Sequence, residues 1–295
     1  MQVVDPHIHL WDLEAGCYPW LAAQAPRFTG DHRAIARTHR VADFLADAGA
    51  IEVLKAVHVD AGHADPLRET RWLQALAEAP GARGLPHGIV AAVDLSRDDA
   101  EAMLAAHAAA PNLRGVRQIL NVHADPRYDY VGRHFMAERA WRDNFRLLDR
   151  FGLAFDLQVY PPQMPAAAAL AADHPDTPIV LDHAGMFADR GSVAGWRAWR
   201  DGLRLLAARP NVSVKISGLG MFDHAWTRES LRPYVLETID AFGTGRAMFA
   251  SNFPVDRLYS SYEALWSAYA DIVQDLGAAE KTALFRGNAE RVYRL

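Results

Sequence analysis

Two histidines separated by one residue lie near the N-terminus, in the run Asp5-Pro6-His7-Ile8-His9 that follows the apolar pair Val3-Val4. In a β-strand, residues i and i+2 point to the same face and lie about 6.6 to 7 Å apart. Both imidazoles can therefore reach one metal ion or one substrate group. Asp5 shares their face one step deeper, where its carboxylate could orient a ring by accepting the second ring N–H. The alternative is two unrelated polar residues near the start of a strand.

Further polar residues stand where other apolar runs end. His183 follows Ile179-Val180-Leu181-Asp182, and Asn252 follows Met248-Phe249-Ala250-Ser251. A histidine at the end of a strand is a candidate for chemistry, although a lone histidine is more often a loop or core residue. Asp182, the neighbour of His183, is expected to point to the opposite face and to support the surrounding helices.

Polar strand faces supply candidates for substrate contact. Strands of a parallel sheet are normally buried on both faces, so a polar face indicates a position near an open end. A guanidinium there would suit a carboxylate-bearing or hydroxyl-rich substrate through its planar donor fork. For the arginines the alternative is surface solvation or ion pairing at the closed end. The candidates are Asp156 and Gln158 on the fifth predicted strand, Lys215 on the seventh, and Arg114, Arg117 and Gln118 on the fourth.

The elements that must position these residues alternate along the chain. Eight strands are predicted at residues 2–7, 51–59, 88–93, 113–120, 153–159, 178–182, 212–217 and 247–251. Helical stretches are predicted at residues 66–78, 98–110, 135–151, 165–173, 193–208, 230–242 and 259–276. Strict alternation indicates an α/β protein with a parallel sheet, and eight units favour a closed (β/α)8 TIM barrel. Its chemistry should collect at the C-terminal ends of the strands.

Composition limits the class of protein. The chain has 295 residues, of which 51% are hydrophobic, with a formal charge of -5. That length and balance suit one barrel domain over residues 1–295, and the charge offers no strong field for nucleic acid or an anionic membrane. Cys17 is the single cysteine, which excludes an intrachain disulfide and a cysteine-based zinc site. With no apolar run of about 18 residues, a cytoplasmic protein acting on a small molecule is expected, of unknown oligomeric state.

Residues 11–50 form a long connection between the first two predicted strands. It carries Tyr18-Pro19-Trp20 and Arg27-Phe28. A connection of this length with aromatic residues predicts an ordered flap over the barrel mouth, with a structural wrap as the alternative.

Six motifs are distributed along the whole chain. In order, they are Val4-Asp5-Pro6-His7-Ile8-His9-Leu10-Trp11-Asp12, Arg114-Gly115-Val116-Arg117-Gln118, Asp182-His183-Ala184-Gly185, Val214-Lys215-Ile216-Ser217-Gly218-Leu219, Ser251-Asn252-Phe253-Pro254 and Gly287-Asn288-Ala289 with Tyr293-Arg294-Leu295. Together they resemble the amidohydrolase-2 branch of the amidohydrolase superfamily. Within that branch the sequence is most similar to the sugar lactonase and 2-pyrone-4,6-dicarboxylate lactonase group.

The resemblance implies a distorted (β/α)8 barrel and hydrolysis of a lactone ring. It implies that His7, His9 and His183 are the active-site histidines, which polarise the substrate carbonyl or hold one divalent ion. The family's usual last-strand Asp, which deprotonates the attacking water, is replaced here by Asn252. A carboxamide can orient water but cannot accept its proton near neutral pH.

Three explanations of that replacement remain open. Another carboxylate could act as the base, with Asp256 and Asp60 nearest by position. A histidine could take the proton, since an unperturbed imidazole has a pKa near ~6.5. Finally, the chain could have lost hydrolytic activity.

The same replacement bears on metal binding. His7, His9 and His183 would provide three nitrogen ligands and an open position, which suits catalytic zinc, but the anionic ligand is missing. We therefore expect either no required cofactor or one divalent metal, zinc or manganese. The leading hypothesis is a lactone hydrolase. A metal-dependent decarboxylase or hydratase of the same superfamily and a non-catalytic ligand-binding barrel are the alternatives.

Overall fold

Eight parallel strands follow one another around a barrel in the order of the chain. The computed structural model describes residues 1–23 and 27–295. The predicted (β/α)8 architecture is confirmed. The strands are β1 (Gln2–Ile8), β2 (Glu52–Val59), β3 (Gly88–Ala92), β4 (Leu113–Ile119), β5 (Ala154–Gln158), β6 (Ile179–Leu181), β7 (Val212–Ile216) and β8 (Ala247–Phe249).

Helices surround the strands and cover their outer apolar face. The described helices are α1 (Pro19–Ala22), α2 (Val41–Ala48), α3 (Pro66–Glu78), α4 (Ala100–Ala108), α5 (Arg139–Phe145), α6 (Leu147–Arg150), α7 (Met164–Asp173), α8 (Val193–Ala207), α9 (Arg228–Phe242), α10 (Tyr262–Ile272), α11 (Ala278–Thr282) and α12 (Asn288–Tyr293).

Helix boundaries differ from the predictions where capping residues decide them. The helix predicted over residues 135–151 is divided into a single turn, Phe135–Ala137, followed by α5 and α6. Helix α10 begins after Ser261, whose hydroxyl accepts a hydrogen bond from the backbone N–H of Ala264. Helix α9 begins two residues earlier than predicted because Thr227 caps it in the same way.

The barrel closes between β1 and the residues that follow β8. The backbone N–H of Asn252 donates to the carbonyl of His7 (2.9 Å), and the N–H of His9 donates to the carbonyl of Phe253 (2.7 Å). The register of β1 against β2 shifts between Asp5 and Ile8. The closing seam therefore lies within the histidine motif, and an irregularity in that strand changes which side chains face inward.

The opposite end of the barrel is closed by the C-terminus. Tyr293 from α12 is fully buried and packs in an apolar cluster with Val4, Val57, Val180 and Met248. The carbonyl of Leu295 accepts a hydrogen bond of 2.9 Å from Lys55 Nζ. This end is therefore filled, which leaves the C-terminal ends of the strands for a cavity.

The connection between β1 and β2 is a long loop whose two ends are joined by backbone hydrogen bonds. Trp11 and His39 pair through two backbone hydrogen bonds of 2.9 Å, N–H to carbonyl in each direction. Residues 19–23 and 27–32 contribute side chains to the wall of a cavity at the barrel mouth, whereas α2 packs beside α10. The predicted flap thus covers only the first part of residues 11–50, and its residues 24–26 lie outside the described part. No helix among the described residues has the length and apolarity to span a bilayer.

Candidate functional site

Three histidines meet at the C-terminal end of the barrel. The ring centroid of His7 lies 5.0 Å from that of His9 and 4.5 Å from that of His183. His9 and His183 line a cavity of about 590 Å³, while His7 is fully buried beside them. The structure thus brings together the three rings singled out in the sequence.

Left-handed backbone conformations aim the residues that follow β6 and β8. His183, Ala184, Gly185 and Met186 all have positive φ, at 55°, 49°, 78° and 45°, and Asn252 has φ 59°. Such conformations are costly for residues other than glycine and cluster at functional sites. They also end the in-and-out alternation of a strand. For this reason the alternation of a regular strand wrongly predicts the direction of the Asp182 side chain.

Each histidine has a defined partner at Nδ1. His9 Nδ1 lies 2.8 Å from the carbonyl oxygen of Val59, which can only accept, so the ring proton is on Nδ1 and Nε2 carries a lone pair. His183 Nδ1 lies 2.9 Å from Ser217 Oγ. Burial lowers the pKa of His9 to about 4 and holds the pKa of His7 and His183 well below its usual value. All three rings are therefore neutral near pH 7.

Asp5 does not orient a histidine ring, contrary to expectation. Its Oδ1 accepts the backbone N–H of His7 (3.2 Å) and of Ser251 (3.0 Å), and its Oδ2 accepts the hydroxyl of Tyr262 (2.9 Å). The register shift between Asp5 and Ile8 turns the carboxylate toward β8 and α10. Asp5 therefore supports the closing seam.

Asp182 instead belongs to a buried group of charges beside His7. Its Oδ1 lies 3.4 Å from His7 Nδ1 and 3.2 Å from Lys215 Nζ, and its Oδ2 lies 3.9 Å from Arg117 Nη1. The expectation that Asp182 supports the outer helices is thus corrected. The positive φ of His183 and Ala184, which sequence phase could not anticipate, accounts for the difference.

Lys215 and Asp156 lie inside the barrel below the cavity. Both are fully buried, and Lys215 Nζ donates to Asp156 Oδ2. Tyr293 donates from its hydroxyl to Asp156 Oδ1 at 2.7 Å. Neither Lys215 nor Asp156 lines the cavity, so the structure does not support direct substrate contact by them. The sequence predicted that both side chains face the inside of the barrel, but not that they lie below the cavity.

Arg117 forms the polar wall of the cavity together with Asp60 and Gln158. Its Nε donates to Asp60 Oδ2 (2.5 Å), its Nη2 to the Asp60 carbonyl (2.6 Å) and its Nη1 to Gln158 Oε1 (3.1 Å). Three of the five guanidinium N–H groups are used in this way. The other two N–H groups make no hydrogen bond with a described residue, although Asp182 Oδ2 lies 3.9 Å from Nη1.

Arg114 and Gln118 lie away from the cavity, which corrects two expectations. Arg114 Nη1 donates to the carbonyls of Pro111 (2.7 Å) and Leu113 (2.9 Å) at the start of β4, the closed end of the barrel. Gln118 alternates with Arg117, so its side chain faces outward and accepts the indole N–H of Trp141 (2.8 Å).

The flap contributes cavity walls that sequence reasoning did not identify. Trp20, Arg27, Thr29 and His32 line the cavity from above, and Trp20 is held by a 2.7 Å hydrogen bond from its indole N–H to the Ala61 carbonyl. The aromatic content of residues 11–50 signalled a cover, but which side chains face inward depends on how the loop folds back.

Asn252 and Asp256 form a contact on the far side of His9. Asn252 Oδ1 lies 3.3 Å from His9 Nε2, and Asn252 Nδ2 donates to Asp256 Oδ1 at 3.4 Å. Asp256 is buried, does not line the cavity, and has a pKa raised to about 8 by that burial. It therefore retains its proton at neutral pH and does not reach the substrate, which corrects the expectation that it supplies the base.

Replacing Asp256 by asparagine stabilises the protein at neutral and alkaline pH. Between the ordinary carboxyl pKa of 3.8 and about 8, the folded protein holds the Asp256 proton and the unfolded chain releases it, so rising pH destabilises the wild type. The Asp256→Asn variant lacks this penalty. We expect the difference in unfolding free energy to grow by about 1.4 kcal/mol per pH unit over that window and then level off.

Urea unfolding of both proteins from pH 5 to pH 9 measures the Asp256 effect. An Asp31→Asn variant, which changes an exposed carboxylate of the flap, serves as the control. A constant difference between Asp256→Asn and wild type across this range contradicts the prediction.

A divalent metal fits this donor set poorly. His7, Asp182 and His183 offer ligand atoms within 4.8 Å of one another. However, the oxygens of Asp182 already face the cations Lys215 and Arg117, and His7 Nδ1 lies 3.4 Å from the Lys215 ammonium. Ligation through His7 Nε2 would place the ring proton on Nδ1, where the Lys215 ammonium lies as close as the Asp182 oxygen that could accept it, each at 3.4 Å. Asn252 adds no negative charge.

Comparison with known proteins gives relatives along the full length of the chain. A family model described as Amidohydrolase matches residues 4–295. The chain is 46% identical over 297 residues to the uncharacterized protein y4mH of Sinorhizobium fredii, covering 99% of this chain and 98% of that one. It is 35% identical over 308 residues to an L-fucono-1,5-lactonase of Burkholderia multivorans, covering 99% and 96%.

A solved structure shares both fold and sequence with the chain. The crystal structure of a Burkholderia multivorans amidohydrolase with bound zinc superposes with a TM-score of 0.83 at 30% identity, covering 100% of both chains. The family model and these relatives agree with the order of motifs and with the barrel. The chain therefore belongs to the amidohydrolase family.

Proposed function

We propose that this protein hydrolyses a small lactone, sugar-derived or dicarboxylic. The observation that carries the proposal is His9, which lines the cavity with its ring proton held on Nδ1 by the Val59 carbonyl, so that Nε2 carries a lone pair. Asn252 Oδ1 lies 3.3 Å from that nitrogen on the same wall. A water molecule that donates a hydrogen to His9 Nε2 has its oxygen free to attack a bound carbonyl.

The reaction follows from that arrangement. The water oxygen attacks the lactone carbonyl carbon while its proton passes to His9 Nε2. The negative charge that develops on the carbonyl oxygen is stabilised by the unused N–H groups of Arg117. The ring C–O bond then breaks, and the proton returns from His9 to the departing alkoxide, giving a hydroxy acid.

The cavity also suits such a substrate in size and lining. Its volume of about 590 Å³ falls among small-molecule sites, which span roughly 300 to 1,000 Å³. Trp20, Met186 and Met221 contribute apolar lining to the cavity, and Arg117 and Gln158 contribute polar lining. The lactonase of Burkholderia multivorans supports the same reaction class in a relative.

Asp60 is the carboxylate that competes with His9 for the role of base, since it also lines the cavity. Its Oδ2 accepts from Arg117 Nε, and its Oδ1 accepts the backbone N–H of Gly62 at 3.1 Å. Both oxygens are therefore engaged in holding Arg117 and the loop. We assign Asp60 the task of positioning Arg117 and assign proton transfer to His9.

A panel of lactones tests the proposal. Aldonolactones and muconolactone-type compounds are incubated with the protein, with and without chelator, and proton release is followed above the enzyme-free rate. We expect turnover of at least one ring ester, undiminished by chelator. Turnover of no lactone contradicts the proposal. Release of carbon dioxide or a change at a double bond indicates a decarboxylase or hydratase, and saturable binding of unchanged compound indicates a binding barrel.

A further inference from the structure

Lys215 is a fully buried cation with no direct access to the cavity. Its Nζ donates to Asp156 Oδ2, forms an ion pair with Asp182 Oδ1 at 3.2 Å, and lies 3.4 Å from His7 Nδ1. An ammonium has three N–H groups and no acceptor. Lys215 can therefore form a hydrogen bond with His7 only if His7 Nδ1 accepts it.

Lys215 and Asp182 compete for His7 Nδ1, and the hydrogen-bond geometry favours Lys215. Asp182 Oδ1 also lies 3.4 Å from Nδ1, yet neither oxygen of Asp182 takes part in a hydrogen bond with any described residue. The contact with Lys215, by contrast, satisfies hydrogen-bond geometry. A neutral imidazole that accepts at Nδ1 carries its proton on Nε2.

His7 Nε2 has no acceptor within the described chain, although it is buried. An N–H group left unpaired in the interior loses its hydrogen bonds to water without replacement, so this group requires a partner supplied from outside the chain. The His7 ring is 5.0 Å and 4.5 Å from the two rings that line the cavity. Because His7 does not itself line the cavity, a water molecule bound between its ring and the cavity floor is the available partner.

We propose that Lys215 is a positioning residue that holds His7 as the Nε2–H tautomer, so that His7 donates a hydrogen bond toward the floor of the cavity instead of binding a metal. Lys215 thereby supplies the positive charge that a divalent ion would otherwise bring to His7 and Asp182. The contribution to catalysis, a fixed donor beneath the bound lactone, rests on the proposed lactone hydrolysis. The tautomer itself does not depend on it.

Nitrogen NMR of histidine-labelled protein reads the tautomer directly. Long-range proton–nitrogen correlations distinguish a ring protonated at Nε2 from one protonated at Nδ1, and a His7→Gln variant identifies the His7 signals. We expect the Nε2–H form in the wild type and the Nδ1–H form in Lys215→Met, where Asp182 becomes the remaining partner of Nδ1. An Nδ1–H form in the wild type, or an unchanged tautomer in Lys215→Met, overturns the proposal.

Zinc binding provides a second readout that needs no substrate. Calorimetric titration with zinc chloride should show binding about tenfold to hundredfold tighter in Lys215→Met than in the wild type, the range typical of changes in the groups that orient metal ligands. The Lys281→Met variant, which changes a half-buried lysine on α11, should match the wild type. Equal zinc affinity in the wild type and Lys215→Met contradicts the proposal.

A double variant keeps these tests available if Lys215→Met does not fold. Lys215→Met/Asp182→Asn removes one charge of each sign and avoids an unpaired buried carboxylate. With Lys215 removed, nothing holds the His7 proton on Nε2, so loss of the pure Nε2–H form is expected and its retention overturns the proposal. If the lactone panel fails while the wild-type tautomer is Nε2–H, the proposed function is wrong and the role of Lys215 stands.

Discussion

Replacing His9 by asparagine lowers kcat/KM on the lactone by a factor of about 10² to 10⁴, the contribution expected of a positioned proton acceptor. The amide nitrogen of asparagine can take the place of His9 Nδ1 and keep the hydrogen bond to the Val59 carbonyl. The lone pair at Nε2, which faces the cavity beside Asn252, is lost. Chemistry is therefore removed while local structure is retained.

The His9 prediction includes a pH dependence. Because burial and the nearby Arg117 guanidinium lower the pKa of His9 to about 4, the ring stays unprotonated from pH 5 upward. Protonation of His9 therefore does not reduce kcat/KM between pH 5 and pH 8. Steady-state kinetics over that range measures it, with His134→Asn, at an exposed site, as the control. A His9→Asn variant within threefold of the wild type would show that another group accepts the proton.

Replacing Arg117 by methionine destabilises the protein by roughly 3 to 5 kcal/mol, the usual cost of breaking a buried ion pair from one side. The guanidinium is 6% exposed, and its loss leaves Asp60 without two charged hydrogen bonds and Asp182 with one fewer neighbouring cation. Activity falls as well, because the N–H groups facing the substrate disappear. Chemical unfolding measures the first effect and steady-state kinetics the second.

Two variants isolate the role of Arg117. Arg117→Met/Asp60→Asn removes both members of the pair and should recover part of the lost stability, since no carboxylate is left unpaired there. Arg114→Met changes a guanidinium three residues away that contacts only backbone carbonyls, and it should have a small effect. Equal unfolding free energies for Arg117→Met and Arg114→Met would contradict the importance assigned to the buried pair.

The amide side chain of Asn252 affects both the choice of general base and the capacity of the site to bind a metal. The family resemblance implies a carboxylate at the end of the last strand that acts as base and can ligate a metal, and the Asn252 carboxamide can do neither as an anion. We propose instead that His9 Nε2, which lies 3.3 Å from the Asn252 amide oxygen, accepts the proton, and that the buried cation Lys215 orients His7.

The sequence by itself determined the architecture and the general location of the site. Alternation of apolar runs with helical stretches is a property of local periodicity, so eight strand and helix units could be counted without tertiary information. His7, His9, His183 and Asn252 stand at strand ends, and parallel strands of a barrel place those ends at one mouth.

Only the tertiary structure decided which polar groups face one another. The in-and-out alternation of a regular strand gives the wrong side-chain direction at two places. The register of β1 shifts after Asp5, and the buried Asp5 side chain points toward the closing seam instead of the cavity. His183 has a positive φ, and the preceding Asp182 side chain lies beside His7. Phase placed Lys215 on the inner face but could not give its depth, since depth depends on how strands are staggered around the barrel. Local sequence specifies which way side chains point along a regular strand. Irregular backbone conformations and long-range packing specify which side chains contact one another.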